Sequence, residues 1–446
     1  MKLELKTIMI ISFITPLIVI GLLQTTFACE TLTVDQAIEL AIKNNKDIKQ
    51  AQQEKDTAWA QVVQARAGFM PSISAEGIYT FTHQPPLIPI PAGSFGPHFP
   101  PNSLNARIDT TFEYNAGFTG TWTLFAGGMV YHNYEAARRL YESASEQEKA
   151  VIQDVIYQVK KAYYNLLLAS ESVDVLKHSI DLAEEHYRVT RDRYESGEAS
   201  ELDMLNANVS LSNLQPQYIA AQNNVKIAAL ALKNILGAEM TSDVCASPDV
   251  ELPRFSGNLE YYEGLAKEGN YQLKVINKQL SAMNEYKKVS IGRFLPSLAL
   301  AGNYNWLSNE FTGAWQDIYQ AALVLTIPLF NGGKNIGEYK ETYSRYYKLV
   351  FLRSETMDNI RISTEAAYSN ATVAQHEIEA AQEALQTAEK AESIAEEQYK
   401  VGLATNLDVL NANLGLKEAQ MNYIKAKYNY LLAIAELQRI LGTGSY

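Results

Sequence analysis

A segment of the chain occurs twice at a constant spacing. Residues 194–237 align without a gap with residues 399–442, and about 20 of the 44 positions are identical. A match of this length at one offset indicates a duplicated structural unit. In each copy a turn containing a glycine, Gly197 or Gly402, precedes a long amphipathic stretch. Any fold of this chain must therefore contain the same tight turn and returning helix twice.

The segments before the two turns predict helices of unusual length. Between Gly128 and Tyr194 the chain has neither proline nor glycine. A helix of about 65 residues is about 100 Å long at 1.5 Å per residue, which favours coiled-coil packing over a globular core. We predict long helices over about 127–195 and 333–400, turns at about 196–200 and 401–405, and returning helices to 237 and 442.

Ahead of each long helix the apolar residues alternate with polar ones, which is typical of β-strands. We predict two β-hairpins, at about 72–124 and 297–329. Aromatic residues near the strand ends are candidates for a membrane-interface belt: Tyr79, Tyr114 and Tyr304. A membrane β-hairpin and a soluble sheet with one wet face both produce this alternation, so the pattern alone leaves both open.

The remaining segments divide the chain into two repeats. Seven prolines between residues 84 and 102 predict an exposed extended loop inside the first hairpin. Thr33 is the expected N-cap of the first helix. The predicted domains are a first repeat over residues 29–240, a linker over 241–257 and a second repeat over 258–446.

The N-terminus carries the pattern of a secretory signal. Two lysines precede an apolar run that is interrupted by Pro16, and small residues follow up to Ala28. This predicts a signal peptide over residues 1–28. Cys29 would then begin the mature chain, where it is a candidate for lipidation. A disulfide between Cys29 and Cys245 is equally compatible with export.

Composition and motifs exclude several functions. The formal net charge of −12 argues against a nucleic-acid partner. Phosphate-binding glycine loops, paired cysteines and nucleophile elbows are not found in the sequence, so we expect neither an enzyme nor a bound cofactor or metal. His178 and His186, eight residues apart on a predicted helix, are interpreted as surface residues.

Four strands per chain require association if they cross a membrane. About eight strands is the smallest membrane barrel, and open strands would leave backbone groups unpaired in lipid. Two chains would supply eight strands, and three would supply twelve. The long helices also need neighbours along their whole length, so a shared tube satisfies both requirements.

Several motifs carry a resemblance that covers essentially the whole mature chain. They are the opening LTVDQAIELAIKNN, the junctions GFMPSIS and GRFLPSL, the strand exits TLFAGG and PLFNGG, and the two turns. The chain thus resembles the TolC family of bacterial outer-membrane efflux proteins.

The resemblance implies an α+β, mainly α fold with an internal duplication. Each chain of a homotrimer would contribute four transmembrane strands to a 12-stranded β-barrel, and long antiparallel helices would form a periplasmic α-barrel. The implied function is a passive exit duct of a tripartite efflux or type I secretion system in the Gram-negative outer membrane. Its implied partners are outer-membrane lipid, a periplasmic adaptor protein and an inner-membrane pump of the RND, ABC or MFS type.

The turns are the candidate functional site. Ser200 and Thr405 are expected N-caps, with Asp203 and Asp408 completing capping boxes three residues later. In the resembled family these turns form a tip that contacts the adaptor. The residues expected at this contact are Gly197, Ala199, Ser200, Gly402, Ala404 and Thr405.

The resemblance also implies a constriction just above the tip. Its candidate residues are Asp203, Tyr399, Asp408 and Asn411. Asp408 matches an acidic position of the family, whereas Asn411 stands where the family has a second acidic residue and Ala404 replaces a basic one. The two copies also differ within the chain, since Glu201 aligns with Asn406 and Pro216 is expected to interrupt only the first returning helix.

Two other functions compete with the duct. A periplasmic adaptor also uses long helical hairpins, but it needs a lipoyl-like β-domain that the sequence does not show. A coiled-coil structural protein gives no reason for four alternating strands. Both alternatives predict a protein that is soluble without detergent.

Overall fold

The computed structural model describes residues 30–82, 87–97, 99–100, 102–107, 112–237 and 244–443. The predicted signal peptide and Cys29 lie outside these residues. The helices are α1 (Val34–Asn44), α2 (Lys46–Ala67), α3 (Met129–Glu195), α4 (Glu201–Leu236), α5 (Leu259–Gly269), α6 (Tyr271–Gly292), α7 (Lys334–Lys400) and α8 (Asn406–Leu441). The strands are β1 (Glu30–Leu32), β2 (Ser72–Phe81), β3 (Leu87–Ile90), β4 (Leu104–Arg107), β5 (Phe112–Ala126), β6 (Val244–Ala246), β7 (Ser297–Ser308) and β8 (Gln316–Thr326). The protein is mainly helical.

The helices form four columns side by side. The end of α4 meets the start of α2. The side chain of Asn45 caps α2, and its Nδ2 donates to the carbonyl of Ile235 at 2.8 Å. In the same way Asn270 caps α6 and donates to the carbonyl of Ile440 at 2.9 Å. The columns are therefore α2 with α4, then α3, then α6 with α8, then α7, each packed against the next.

A four-stranded antiparallel sheet continues these columns. Its strand order is β2-β5-β7-β8. This matches the order of the columns because α2 leads into β2, β5 into α3, α6 into β7, and β8 into α7. The β5–β7 ladder shifts register between Thr123 and Phe125, next to the point where β5 passes into α3.

The junction between sheet and helices has little space. Gly127 has a φ of +59°, and a Cβ there would lie 2.5 Å from the carbonyl oxygen of Gly292. A Cβ on Gly292 would in turn lie 2.7 Å from the carbonyl oxygen of Gly127. The two backbones thus approach each other as closely as glycine permits.

The main core lies midway along the columns. Tyr163 of α3 is almost fully buried there, and its hydroxyl donates toward the carbonyls of Leu32 and Ser247. β1 pairs in parallel with β6 at this level and places Thr31 opposite Cys245. This small sheet, part of it in the predicted linker, was not expected from the sequence.

Two sequence-based expectations were wrong in detail. The proline-rich stretch is not wholly a loop, because β3 and β4 form a short antiparallel pair within it. Pro89 is tolerated there since a two-stranded sheet leaves each strand an edge that needs no hydrogen bond. Pro216 does not interrupt α4, which continues through it to Leu236. Among the described helices, none is both long and apolar enough to cross a membrane.

Candidate functional site at the tip of the helical hairpins

The first turn joins α3 to α4 through a left-handed glycine. Gly197 has a φ of +76°, and the amides of Glu198 and Ala199 both donate to the carbonyl of Arg193. Ser200 is confirmed as the N-cap of α4, since its hydroxyl accepts from the amide of Asp203 at 3.1 Å. The Asp203 carboxylate accepts in return from the backbone amide of Ser200.

The second turn repeats this geometry between α7 and α8. Gly402 has a φ of +77°, and Thr405 is confirmed as the N-cap of α8. The amide and hydroxyl of Thr405 donate to the Asp408 carboxylate at 2.8 and 2.6 Å. These two hydrogen bonds lower the pKa of Asp408 from its ordinary value.

The outer surface of both turns is open and partly apolar. No atom of the described chain lies within 4 Å of a Cβ built on Gly197, and only Arg193 approaches one on Gly402. Large apolar side chains stand exposed beside the predicted contact residues: Leu202, Val401, Leu403 and Leu407. The outer surface of the turns thus consists of small residues surrounded by exposed apolar side chains, and the contact with an adaptor predicted for it stays a prediction.

Above the turns a buried polar cluster joins the two repeats. We call it the tip cluster; it consists of His186, Thr190, Arg193, Glu396, Tyr399 and Asn406. The hydroxyl oxygens of Tyr399 and Thr190 are 3.1 Å apart. The Arg193 guanidinium lies 4.8 Å from the centre of the Tyr399 ring and donates to the Tyr399 carbonyl. Residues of α3 thereby hold the end of α7.

The second contact within the tip cluster is centred on His186. Its Nε2 lies 2.6 Å from Oδ1 of Asn406, whose Nδ2 donates to the carbonyl of Asp203 at 3.3 Å. Its Nδ1 lies 3.7 Å from a carboxylate oxygen of Glu396. Proximity of the His186 ring lowers the pKa of Glu396, while burial acts in the opposite direction. His186 is only 1% exposed, so its interpretation as a surface residue was wrong, whereas His178 is exposed.

The structure does not bring the four constriction candidates together. Tyr399 is buried in the tip cluster. Asp408 is exposed and Asp203 is half-buried, and both turn their carboxylates back to cap their own helices. Asn411 is exposed one turn further along α8. Their role in a constriction remains a prediction that depends on neighbouring chains.

Sequence reasoning missed most of the tip cluster. Its members on α3 are spaced four and then three residues apart, so they share one helix face: His186, Thr190 and Arg193. That spacing was available in the sequence, but their partners lie more than 200 residues away on α7 and α8. The described part of the chain contains no group of three or more His, Cys, Asp or Glu side chains suited to a metal ion.

Comparison with known families matches both repeats. The family model described as "Outer membrane efflux protein" aligns with residues 37–238 and 264–443. These two ranges cover both helical hairpins and both strand pairs.

Individual relatives match this chain at low sequence identity. CyaE of Bordetella pertussis is 23% identical over 354 residues, which is 77% of this chain and 69% of that protein. The probable outer membrane lipoprotein SilC of Salmonella typhimurium is 22% identical over 69% of this chain and 63% of its own length. The CmeC outer membrane channel of Campylobacter jejuni superimposes with a TM-score of 0.74 at 20% identity, over 92% of this chain and 86% of that chain.

Proposed function

Because the chain belongs to the outer membrane efflux protein family, we propose that it forms a passive exit duct across the outer membrane. Three chains would close one tube, whose strands cross the membrane and whose helical columns extend into the periplasm. The observation that supports this most directly is the shared order of strands and columns. The sheet and the layer of helical columns are open on the same two sides. A single rotation from one chain to the next can therefore close the strands and the helices together.

The sheet has two open edges of suitable character. β2 and β8 are its outer strands, and neither pairs with a further strand among the described residues. Unpaired edges of this length are rare in isolated proteins because they attract other strands. The exposed side chains on these strands include large apolar ones: Ile73, Tyr79, Phe81, Leu323 and Leu325. Pairing β8 of one chain with β2 of the next would satisfy the backbone and place these side chains against lipid.

The helical columns end on the same two sides. α7 forms one side, and α2 with α4 forms the other. Apolar residues are exposed along both, with Phe351 of α7 70% exposed and Leu230 of α4 64% exposed. Burying a large apolar side chain contributes about 1.5–3 kcal/mol, so contact between α7 and the next chain's α2 and α4 would stabilise a closed ring. Such a head-to-tail contact closes only if the rotation per chain fits a whole number of chains.

Three chains supply twelve strands, whereas two supply eight. An eight-stranded barrel has an interior just wide enough for side chains, so it leaves no duct. Twelve strands provide a wider interior. The tips of the six helical hairpins would then meet at the periplasmic end. We propose that this end docks an adaptor protein and, through it, an inner-membrane pump, with the small residues of both turns at the contact.

The test of the ring is cross-linking between edge strands. Chains that carry one cysteine on β2 and one on β8, placed at facing positions, should give a covalent ladder that stops at three chains in outer-membrane extracts. Cysteine pairs placed across β5 and β7 are the matched control, because those strands pair within one chain and should give monomers only. A ladder that stops at two, or continues past three, would overturn the trimer.

The test of the duct is conductance. The purified oligomer should carry ionic current across a planar lipid bilayer, and its removal from cells should raise sensitivity to exported compounds. A chain that remains a soluble monomer without detergent and passes no current would refute the proposed function.

A further inference from the structure

His186 is an ionisable side chain buried between the two repeats. It is 1% exposed, and its ring centre lies 5.1 Å from that of Tyr399. Neither docking at the turns nor conduction along a duct requires a histidine at this place. Histidine side chains ordinarily change charge between about pH 5 and pH 8, so its surroundings determine what protonation would do.

The hydrogen bonds around His186 define its neutral form. Nδ2 of Asn406 donates to the backbone of Asp203, which leaves Oδ1 of Asn406 as the acceptor facing the histidine. Nε2 of His186 must therefore carry the proton, because an amide oxygen only accepts. In the neutral ring Nδ1 then presents a lone pair toward the carboxylate of Glu396, 3.7 Å away.

This contact leaves Nδ1 of His186 unsatisfied. Nδ1 is buried and has no hydrogen-bond partner within the described residues, and the Glu396 oxygen that faces it is Oε2. The other oxygen of that carboxylate, Oε1, lies 3.5 Å from Nζ of Lys400. A buried polar atom without a partner costs free energy, and a lone pair facing a carboxylate adds repulsion. A proton on Nδ1 would remove both costs at once, since it would turn the contact into a charge-assisted hydrogen bond.

Charged groups lie on several of the helices packed around His186. The charged or titratable groups around the contact between His186 and Glu396 are His178, Glu185 and Arg193 on α3, Glu392, Tyr399 and Lys400 on α7, and Asp203 on α4. Asn406 on α8 is neutral, and the Asp203 carboxylate is occupied at its own cap. Lys400 lies 3.5 Å from Glu396 but is half-exposed, and Arg193 is directed to Tyr399. The charge that directly faces Nδ1 is thus the half-buried Glu396 carboxylate.

We propose that His186 and Glu396 form a proton-operated clasp between the two hairpins. Protonation of Nδ1 joins α3 to α7 by an ion pair, while the bond from Nε2 to Asn406 continues to hold α8. Acid tightens the tip and neutral pH loosens it. The proposal rests on the proposed function only in treating this clasp as a control of the exit route.

Hydrogen exchange at the tip tests the clasp directly. In the detergent-solubilised full chain, the amides of residues 396–408 should be more protected at pH 5.5 than at pH 8, after correction for intrinsic exchange rates. We expect the corrected exchange rates at the two pH values to differ by about tenfold. A flat profile in the wild-type protein would overturn the proposal.

Three substitutions separate the clasp from general loosening. His186→Gln keeps a donor for Asn406 but takes no charge, and Glu396→Gln keeps the shape without the carboxylate, so both should flatten the pH profile. His178→Gln, on an exposed histidine of the same helix, should keep it. Retention of the wild-type profile in His186→Gln or Glu396→Gln would contradict the clasp.

Conductance distinguishes failure of the clasp from failure of the duct. In planar bilayers the open probability should rise from pH 5.5 to pH 8 in the wild type, and this change should be lost in His186→Gln. A chain that passes no current but keeps the His186-dependent exchange profile would refute the proposed function and support the clasp. A conducting chain without that profile would support the proposed function and refute the clasp.

Discussion

The hydroxyl oxygens of Thr190 and Tyr399 lie 3.1 Å apart, although the residues are separated by 209 positions in the chain. Both side chains are buried, Thr190 completely. Their contact joins the end of the first long helix to the end of the second. The tip is therefore held by a specific interaction between the repeats as well as by the packing of each hairpin on itself.

Removing one hydroxyl should destabilise this contact more than removing both. Tyr399→Phe leaves the Thr190 hydroxyl buried without its side-chain partner, which costs about 1–3 kcal/mol. Thr190→Val combined with Tyr399→Phe should recover part of that loss, because two apolar groups then meet. Native-state hydrogen exchange of residues 186–193 measures both effects. Strict additivity of the two single substitutions would show that the hydroxyls do not interact.

Much of this fold could be predicted because its main elements occur twice in the sequence. The turn around Gly197 has its copy at Gly402, and both capping boxes follow from local spacing. Alternation of apolar residues likewise located β2, β5, β7 and β8. These features depend on neighbours within a few residues, which sequence patterns report well.

Features that depend on distant partners could not be predicted. Asn45 lies at the break between α1 and α2, and its amide donates to the carbonyl of Ile235, 190 residues away. The capping of α2 by Asn45 is local, but no local pattern reports the contact with Ile235. The pairing of β1 with β6 involves three residues on each side, too few to show a pattern. The tip cluster is likewise defined by contacts between repeats, so its buried histidine was interpreted as a surface residue.

Equivalent glycines at the two sheet–helix junctions should differ in their tolerance of alanine. Gly127 and Gly332 occupy matching repeat positions with φ of +59° and +66°. A Cβ on Gly127 would lie 2.5 Å from the Gly292 carbonyl oxygen, whereas one on Gly332 meets no atom of the described chain within 4 Å. Alanine in a left-handed backbone conformation costs about 1–2 kcal/mol at either position, but only Gly127→Ala adds a steric clash. Heat stability of the oligomer on detergent gels should fall further for Gly127→Ala. Equal losses would mean that the junction adjusts.

The asparagines that join stacked helices should matter for column alignment. Asn45→Ala removes the cap of α2 and the donor to Ile235 together, with an expected cost of about 1–3 kcal/mol. Asn45→Asp keeps a capping oxygen but cannot donate to the carbonyl, so it separates the two roles. Asn270 offers the same pair of substitutions in the second repeat. Thermal unfolding of each variant measures the costs. If Asp is as stable as Asn at both positions, the hydrogen bond between the two stacked helices of a column contributes nothing.

The cap of α8 should survive mild acid. Hydrogen bonds from Thr405 lower the pKa of Asp408 in the folded protein. A carboxylate whose pKa is lowered by folding stabilises the folded state above its unfolded pKa, and this contribution is lost as the pH falls through the folded pKa. Protection of the amides of residues 406–409 by this cap should therefore fail only below about pH 3.8, the ordinary aspartate value. Asp408→Asn should lack this acid transition. Loss of the cap's contribution between pH 7 and pH 5 would contradict the assignment.

Charge introduced at both turns should abolish docking without unfolding the tip. Gly197 and Gly402 have left-handed backbones, which asparagine and aspartate tolerate better than other residues, and the surrounding space is open. The double variants Gly197→Asp with Gly402→Asp and Gly197→Asn with Gly402→Asn are nearly equal in shape and differ in charge. We expect the aspartate pair to lose adaptor co-purification and efflux, the asparagine pair to retain part of both, and the oligomer to form in each. Normal efflux in the aspartate pair would show that the turns serve the fold alone. Equal loss in both pairs would show that docking requires the small size of glycine and is insensitive to charge.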